Sequence, residues 1–151
     1  MSIVAAGTPA PDFTLAREDG SSFTREDLKG RTSVLVFYPF AFSPVCTDQL
    51  NVYEEVLGEL ADQGATLYGV SCDATWSQQA FKEKLGVSIE QLSDWEPKGA
   101  TCRAFGVLHP GGFPQRALVI VDPDGSVKWS YEADSPGELP GANLIFDGLA
   151  A

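Results

Sequence analysis

Cys46 is the residue of this chain best placed to do chemistry, because of the residues that precede it. Pro39 and Ser43 lie in a loop that joins a strongly apolar run to an amphipathic segment beginning near Cys46. At the start of a helix, the dipole and the unpaired N–H groups favour a negatively charged sulfur. The thiolate is the nucleophilic form of cysteine, so the pattern indicates thiolate chemistry.

The elements on either side of this cysteine follow from hydrophobic periodicity. Residues 33–38 form an unbroken β-branched and aromatic run, which predicts a central strand buried on both faces. From Cys46 to about Ala61, apolar residues recur every three and four positions, which predicts one helix packed on the sheet and ended by Gly64. The remaining predictions are strands over 66–71, 91–92, 117–121 and 127–131, with helices over 75–85, 99–105 and 144–149.

Local signals add detail to this layout. Asp73 or Thr75 is predicted to cap the helix over 75–85. Two short extended pieces, 10–15 and 22–24, predict an N-terminal β-hairpin extension. The alternation of strand and helix then predicts an α/β fold with three layers, in which a mixed sheet carries helices on both faces. With 151 residues, the chain fits one domain covering 1–151.

Composition excludes several classes of partner. The net charge of -11 repels nucleic acid phosphates and anionic lipids, so neither nucleic acid nor membrane is expected as a partner. No signal peptide or membrane span is apparent, and we expect a soluble cytoplasmic protein. Three scattered cysteines and one histidine match neither a disulfide framework nor a zinc motif, so we expect no metal and no cofactor.

Beyond these patterns, several motifs together resemble the peroxiredoxins of the thioredoxin superfamily. They are the run 10–15, the run 36–39, the Pro-x-x-x-Ser-x-x-Cys motif made by Pro39, Ser43 and Cys46, and Arg116 ahead of the strand 119–122. The resemblance covers about 9–131 and implies a thioredoxin-like sandwich. Segments 92–95, 99–100 and 105–107 are most similar to the one-cysteine alkyl hydroperoxide reductase E subgroup.

The resemblance also implies roles for individual residues. Cys46 would attack a peroxide as the thiolate, Ser43 would bond to the sulfur and the peroxide, Arg116 would bring a guanidinium to both, and Pro39 would shield the site from water. Two departures are visible: Ser43 stands where threonine is usual, and Gln49 stands where many members carry glutamate. The implied partners are a peroxide substrate, a reducing thiol or a thioredoxin- or glutaredoxin-like protein, and a second copy in a homodimer.

Several alternatives remain open from the residues. Cys72 and Cys102 fit either packing or a resolving role toward oxidised Cys46, and His109 fits a loop position. A peroxide-sensing or chaperone-like binding protein would use the same cysteine without rapid turnover. A thiol:disulfide oxidoreductase is a weaker alternative, since it needs a Cys-x-x-Cys motif and Gln49 occupies the second position.

Overall fold

The computed structural model describes residues 2–151, which are organised around a seven-stranded mixed sheet. Its strands are β1 (Thr14–Ala16), β2 (Ser22–Thr24), β3 (Thr32–Phe37), β4 (Ala65–Ser71), β5 (Glu90–Ser93), β6 (Ala117–Val121) and β7 (Val127–Glu132). They lie in the order β2-β1-β5-β4-β3-β6-β7. Strand β4 is parallel to β3 and to β5, and every other neighbouring pair is antiparallel. The α/β prediction and the N-terminal hairpin are confirmed.

Five α-helices and a short 3₁₀ helix at Arg25–Leu28 accompany the sheet. The α-helices are α1 (Pro44–Glu55), α2 (Leu57–Asp62), α3 (Thr75–Leu85), α4 (Ala100–Ala104) and α5 (Ala142–Ala150). No helix within residues 2–151 is both long enough and apolar enough to cross a membrane.

Strand β3 lies at the centre of the molecule, as its apolar run predicts. Its neighbours are β4 and β6, and Val34 through Phe37 are fully buried. Successive side chains of a strand point to opposite faces, so β3 contributes to two separate cores. The first core includes Val34, Val36, Cys46, Leu50, Leu60, Phe81 and Ile145, while the second includes Phe13, Leu35, Phe37, Cys72, Cys102 and Phe105.

The two cores separate the three cysteines. The first core is built with side chains from α1, α2, α3 and α5 and contains Cys46. The second core is built with the N-terminal hairpin and α4 and contains Cys72 and Cys102. The sheet therefore lies between the predicted nucleophile and the other two thiols.

The helix that carries Cys46 differs from its prediction at both ends. It begins at Pro44, two residues earlier than predicted, because proline suits the first helical position where no N–H is needed. Cys46 is thus the third helical residue. The predicted single helix is also interrupted at Val56, which has φ -108° and ψ 7° and separates α1 from α2. Val56 and Gly58 both have lower helix propensity than alanine, which favours an interruption there.

The predicted cap of α3 is also wrong. Ala74 is the N-cap, and neither Asp73 nor Thr75 caps the helix. The Asp73 carboxylate instead accepts a hydrogen bond of 2.8 Å from the backbone N–H of Ala41. A contact distant in sequence has therefore displaced the local capping interaction.

Candidate active site around Cys46

The loop 39–43 connects β3 to α1 and fixes the approach to Cys46. Phe42 has φ 72°, which is rare for a bulky residue. Its ring packs on Phe81 of α3 with 5.2 Å between the centroids, and the neighbouring Ala41 N–H is bonded to Asp73. Contacts with two other parts of the chain thus stabilise an unfavourable backbone conformation, as is common at functional loops.

Arg116 is brought to Cys46 by the pairing of β6 with β3. Ala117 lies opposite Phe37 in the antiparallel register, so the residue before β6 reaches the end of β3 from which the loop to α1 departs. Arg116 Nη2 lies 3.3 Å from Cys46 Sγ and donates to it. The structure thus joins two residues that are 70 positions apart in the sequence.

The other nitrogens of Arg116 are also engaged. Nη1 donates to Gln49 Oε1 at 2.6 Å and Nε donates to the Pro136 carbonyl at 2.8 Å. The residue is only 2% exposed. Three acceptors from α1 and from the loop after β7 therefore hold the guanidinium in one orientation.

The charge of Arg116 has no carboxylate partner among residues 2–151, where the four ion pairs involve other side chains. A buried guanidinium remains protonated, and burying a charge without an opposite charge is costly. Gln49 and Pro136 supply only neutral oxygens. The third group in contact with the Arg116 guanidinium is the Cys46 sulfur.

Gln49 and Tyr53 extend the network along α1. Gln49 Nε2 donates to the Tyr53 hydroxyl at 3.1 Å, and that hydroxyl donates to the Pro140 carbonyl at 2.7 Å. Burial raises the pKa of Tyr53 to about 12, so the hydroxyl keeps its proton at neutral pH. Sequence reasoning noted Gln49 only as a departure from glutamate and assigned neither residue a role. Their spacing from Cys46, three and seven residues, puts all three on one face of a helix and was the available signal.

Ser43 immediately precedes α1, but its hydroxyl does not bond to the Cys46 sulfur. It donates to the Phe40 carbonyl at 3.0 Å. A hydroxyl that donates one hydrogen bond still has lone pairs that can accept another. Ser43 therefore can accept a hydrogen bond from a molecule in the adjoining cavity.

A cavity of about 260 Å³ opens beside the site. Pro39, Ser43 and Arg116 border it, and Phe40 and Phe113 supply much of its apolar surface. The rings of Phe40 and Phe113 pack with 4.9 Å between their centroids. The structure thus brings the four predicted site residues together, with Cys46 fully buried and the other three at the cavity wall.

The remaining candidates lie elsewhere. His109 is in the segment between α4 and β6, where its Nδ1 accepts the Gly111 N–H at 2.9 Å. Cys72 and Cys102 lie together with Asp94, and the two sulfurs and a carboxylate oxygen are within 4.8 Å of one another. The sequence did not predict this grouping, because its members come from three separate segments.

Comparison with known proteins supports the family that the motifs resemble. Residues 6–130 match the model of the AhpC/TSA family. The chain is 31% identical to alkyl hydroperoxide reductase E of Mycobacterium tuberculosis over 147 residues, covering 96% of this chain and 95% of that protein. It is 35% identical to alkyl hydroperoxide reductase C of Amphibacillus xylanus over 158 residues, covering 100% of this chain and 82% of that protein.

A solved structure supports the same assignment. The crystal structure of Enterococcus faecalis AhpC superposes with a TM-score of 0.85 at 28% identity, covering 97% of this chain and 92% of that chain. The family match also spans the region over which the motifs resemble peroxiredoxins. The chain therefore belongs to the AhpC/TSA family and is a peroxiredoxin.

Proposed function

We propose that Cys46 is the peroxidatic nucleophile of this thiol-dependent peroxidase, assisted by Arg116, Ser43 and Pro39. The observation that carries the proposal is the 3.3 Å contact between Arg116 Nη2 and Cys46 Sγ. A buried cation oriented onto a cysteine at the start of a helix is the setting in which a thiolate is stable and nucleophilic.

The reaction follows from this arrangement. The Cys46 thiolate attacks the hydroxyl oxygen of a hydroperoxide, a sulfur–oxygen bond forms and the oxygen–oxygen bond breaks. The peroxide O–H donates to Ser43 Oγ during the approach, and the departing oxygen gains negative charge that Arg116 stabilises. That oxygen takes a proton from water and leaves as an alcohol or as water. Cys46 becomes a sulfenic acid.

Ionisation alone does not account for an efficient peroxidase. A free thiol of pKa about 8.5 is about 3% ionised at pH 7, so full ionisation raises its reactivity only about thirtyfold. The larger part must come from holding the peroxide in line with the sulfur and from stabilising the leaving oxygen. Arg116 is suited to this because its three hydrogen bonds prevent reorientation during the reaction.

The cavity at the site supports a range of small peroxides as substrates. Its apolar border of Phe40, Phe113 and proline rings accommodates the carbon chain of an organic hydroperoxide, while hydrogen peroxide and peroxynitrite need only the polar end. Pro39 and the two aromatic rings also limit the water that reaches the sulfur, which strengthens the electrostatic interactions at the site.

The position of the other thiols supports a one-cysteine cycle. Cys72 and Cys102 belong to the core on the opposite face of the sheet from Cys46, so neither is placed to form a disulfide with it in this fold. Reduction of the sulfenic acid then requires an external thiol, either a small thiol or a thioredoxin- or glutaredoxin-like protein. The resemblance of the motifs to the one-cysteine alkyl hydroperoxide reductase E subgroup implies the same cycle, and the chain is 31% identical to the protein of that name from Mycobacterium tuberculosis.

The same proposal includes a homodimer in the cytoplasm. Large aromatic side chains are exposed, among them Trp76 at 81% and Phe42, in the loop before α1, at 50%. Aromatic residues are enriched at protein interfaces. The net charge of -11 and the three unpaired cysteines are compatible with a reducing, aqueous compartment.

A peroxide assay on a single-residue variant tests the nucleophile. Cys46→Ser should lower the second-order rate of hydrogen peroxide consumption by at least about 10³-fold, because serine has no anionic sulfur at neutral pH. Stopped-flow fluorescence or a coupled assay with a thiol reductant measures this rate. Circular dichroism establishes that the variant is folded.

Cys72→Ser serves as the matched control, since it removes a buried cysteine on the other face of the sheet. Its rate should stay within about twofold of wild type. Peroxide consumption by Cys46→Ser at the wild-type rate would refute the proposal, and so would loss of activity in Cys72→Ser with Cys46 still reduced and the fold intact.

A further inference from the structure

A second group of reactive side chains lies where β4, β5 and α4 meet. Cys72 directly follows β4, Asp94 directly follows β5 and Cys102 is in α4. Because β4 and β5 are parallel neighbours, their carboxyl ends meet at one edge of the sheet, and the Asp94 N–H donates to the Ser71 carbonyl at 2.8 Å. The two sulfurs and a carboxylate oxygen of Asp94 lie within 4.8 Å of one another.

The carboxylate of this group already has a structural role. Asp94 Oδ1 accepts the Thr101 N–H at 3.1 Å and Oδ2 accepts the Cys102 N–H at 2.8 Å, so both oxygens bind the start of α4. A structural zinc site takes four ligands, usually thiolates and imidazoles. Among residues 2–151, the potential metal ligands of this group are two thiols and one carboxylate that is already hydrogen-bonded to the backbone. This composition favours a redox-active pair of thiols over a metal centre.

The two thiols differ in access. Cys72 borders a cavity of about 200 Å³ together with Phe40, Trp95 and Lys98 and is 6% exposed, whereas Cys102 is fully buried. Phe40 also borders the cavity beside Cys46, so the two cavities are neighbours that share one side chain. The Cys72 cavity therefore lies close to the cavity proposed to admit the peroxide.

The electrostatic surroundings assign different roles to the two sulfurs. A hydrogen bond from the Cys102 thiol lowers the pKa of Cys72, and Lys98 acts in the same direction, while burial, Asp94 and Asp73 oppose them. The interaction with Cys72, together with burial and the charge of Asp94, raises the pKa of Cys102. Cys72 is thus the more acidic and the more accessible of the two thiols. Cys102 is fully buried and stays protonated.

We propose that Cys72 and Cys102 form a reversible intramolecular disulfide, a second oxidisable centre that is separate from Cys46. The Cys72 thiolate attacks a hydroperoxide, the oxygen–oxygen bond breaks, and the leaving oxygen takes a proton from water, which leaves a sulfenic acid on Cys72. The Cys102 sulfur then attacks the Cys72 sulfur, the disulfide forms, and the hydroxyl departs with the Cys102 proton as water. Two electrons pass from the dithiol to the peroxide.

The two sulfurs must approach each other before the bond can form. A disulfide has a sulfur–sulfur distance of about 2.05 Å, whereas the sulfurs of this group lie within 4.8 Å of each other. The adjacent Asp73 carboxylate holds the Ala41 N–H of the loop that leads to Cys46. The oxidised pair is therefore next to a contact that positions the peroxidase loop.

Intact-mass measurement on the Cys46→Ser full chain tests the proposal, since the other two cysteines are then the only ones present. The variant is reduced, freed of reductant and treated with excess hydrogen peroxide or cumene hydroperoxide. We expect the mass of most chains to decrease by that of two hydrogens and both thiols to become resistant to alkylation. Dithiothreitol should reverse both changes. Tryptic digestion without reduction should yield the peptide 32–82 linked to the peptide 99–103.

Two further variants resolve the order of events. With Cys46→Ser as background, Cys102→Ala should stop at a Cys72 sulfenic acid that dimedone captures, whereas Cys72→Ala should leave Cys102 unreactive. Retention of both alkylatable thiols after peroxide treatment, disulfides only between chains, or a zinc ion that copurifies with the pair would each overturn the proposal. These outcomes do not bear on the proposed role of Cys46 in the peroxidase reaction, because every variant in this experiment lacks Cys46.

Discussion

Cys46 and the Cys72–Cys102 pair are all buried thiols, yet their surroundings have opposite electrostatic character. Cys46 lies at the start of α1 and contacts the unpaired cation of Arg116. Cys72 and Cys102 lie beside the Asp94 carboxylate and next to each other, and their mutual interaction lowers the pKa of Cys72 and raises that of Cys102. Burial alone therefore does not decide how a thiol reacts. The groups around it do: Cys46 contacts a cation, whereas Cys72 and Cys102 contact each other beside a carboxylate.

The largest predicted effect comes from removing that fixed charge. Arg116→Met should slow peroxide reduction by about 10²-fold, because the variant loses the donor that stabilises the leaving oxygen. The rate of peroxide reduction by Arg116→Lys should lie between the rates of Arg116→Met and wild type. Lysine keeps the charge but cannot reach three acceptors at once. Stopped-flow kinetics measure both rates.

Arg103→Met is the control for this experiment, because Arg103 is an exposed arginine on α4, the helix of Cys102. It should leave the peroxidase rate unchanged within about twofold. Disulfide formation by Cys72 and Cys102 should be the same in Arg116→Met as in wild type. If the peroxidase rate of Arg116→Met fell by less than about fivefold, Arg116 would not account for the difference between Cys46 and the Cys72–Cys102 pair.

A smaller effect is expected from Gln49→Glu. The new carboxylate would pair with Arg116 in place of the 2.6 Å contact with the amide oxygen and would compete with the sulfur for the guanidinium. We expect the rate of peroxide reduction at pH 7 to fall by up to about tenfold. Asn51→Asp adds the same charge to an exposed position of α1 and is the matched control. Equal rates in the two variants would mean that the unpaired charge of Arg116 is not limiting.

The smallest effect concerns the stability of the second region. Burial raises the pKa of the Asp94 carboxyl above its ordinary value of 3.8, so the folded state binds the proton more tightly than the unfolded state does. The resulting stabilisation is complete below pH 3.8 and is lost as the pH rises through the raised pKa. The free energy of unfolding of wild type relative to Asp94→Asn should therefore decrease as the pH rises from about 4.

Urea unfolding at a series of pH values measures this difference, with Asp48→Asn, an exposed carboxylate on α1, as the control. The peroxidase rate of folded Asp94→Asn should match that of wild type, because Asp94 contacts only the second region. A difference in unfolding free energy that does not change with pH would contradict the prediction.

Much of the fold could be predicted from local patterns. The apolar run at β3 is confirmed because a strand buried on both faces has few polar residues, and the hairpin of β1 and β2 is confirmed because its turn residues are adjacent in sequence. The division of α1 from α2 and the true cap of α3 were missed. In the second case the Asp73 carboxylate bonds to Ala41, a partner 32 residues away that no local pattern indicates.

The site divides in the same way. Cys46, Ser43 and Pro39 form a compact motif within eight residues, so the sequence alone predicted the proposed nucleophile and its loop. Gln49 and Tyr53 share a helix face with Cys46. The role of a polar residue on a buried face cannot be assigned until its hydrogen-bond partner is known. Only the tertiary structure supplies that partner, the guanidinium of Arg116.

The sequence by itself thus determined the family and the alternation of strands and helices and singled out Cys46 as the proposed nucleophile, because these depend on residues close together in the chain. The tertiary structure decided which charges face which thiols. It placed Arg116 against Cys46 through the pairing of β3 and β6, and it placed Asp94 against Cys72 and Cys102 through the pairing of β4 and β5. Electrostatic interactions depend on distance in space, which chain order does not contain.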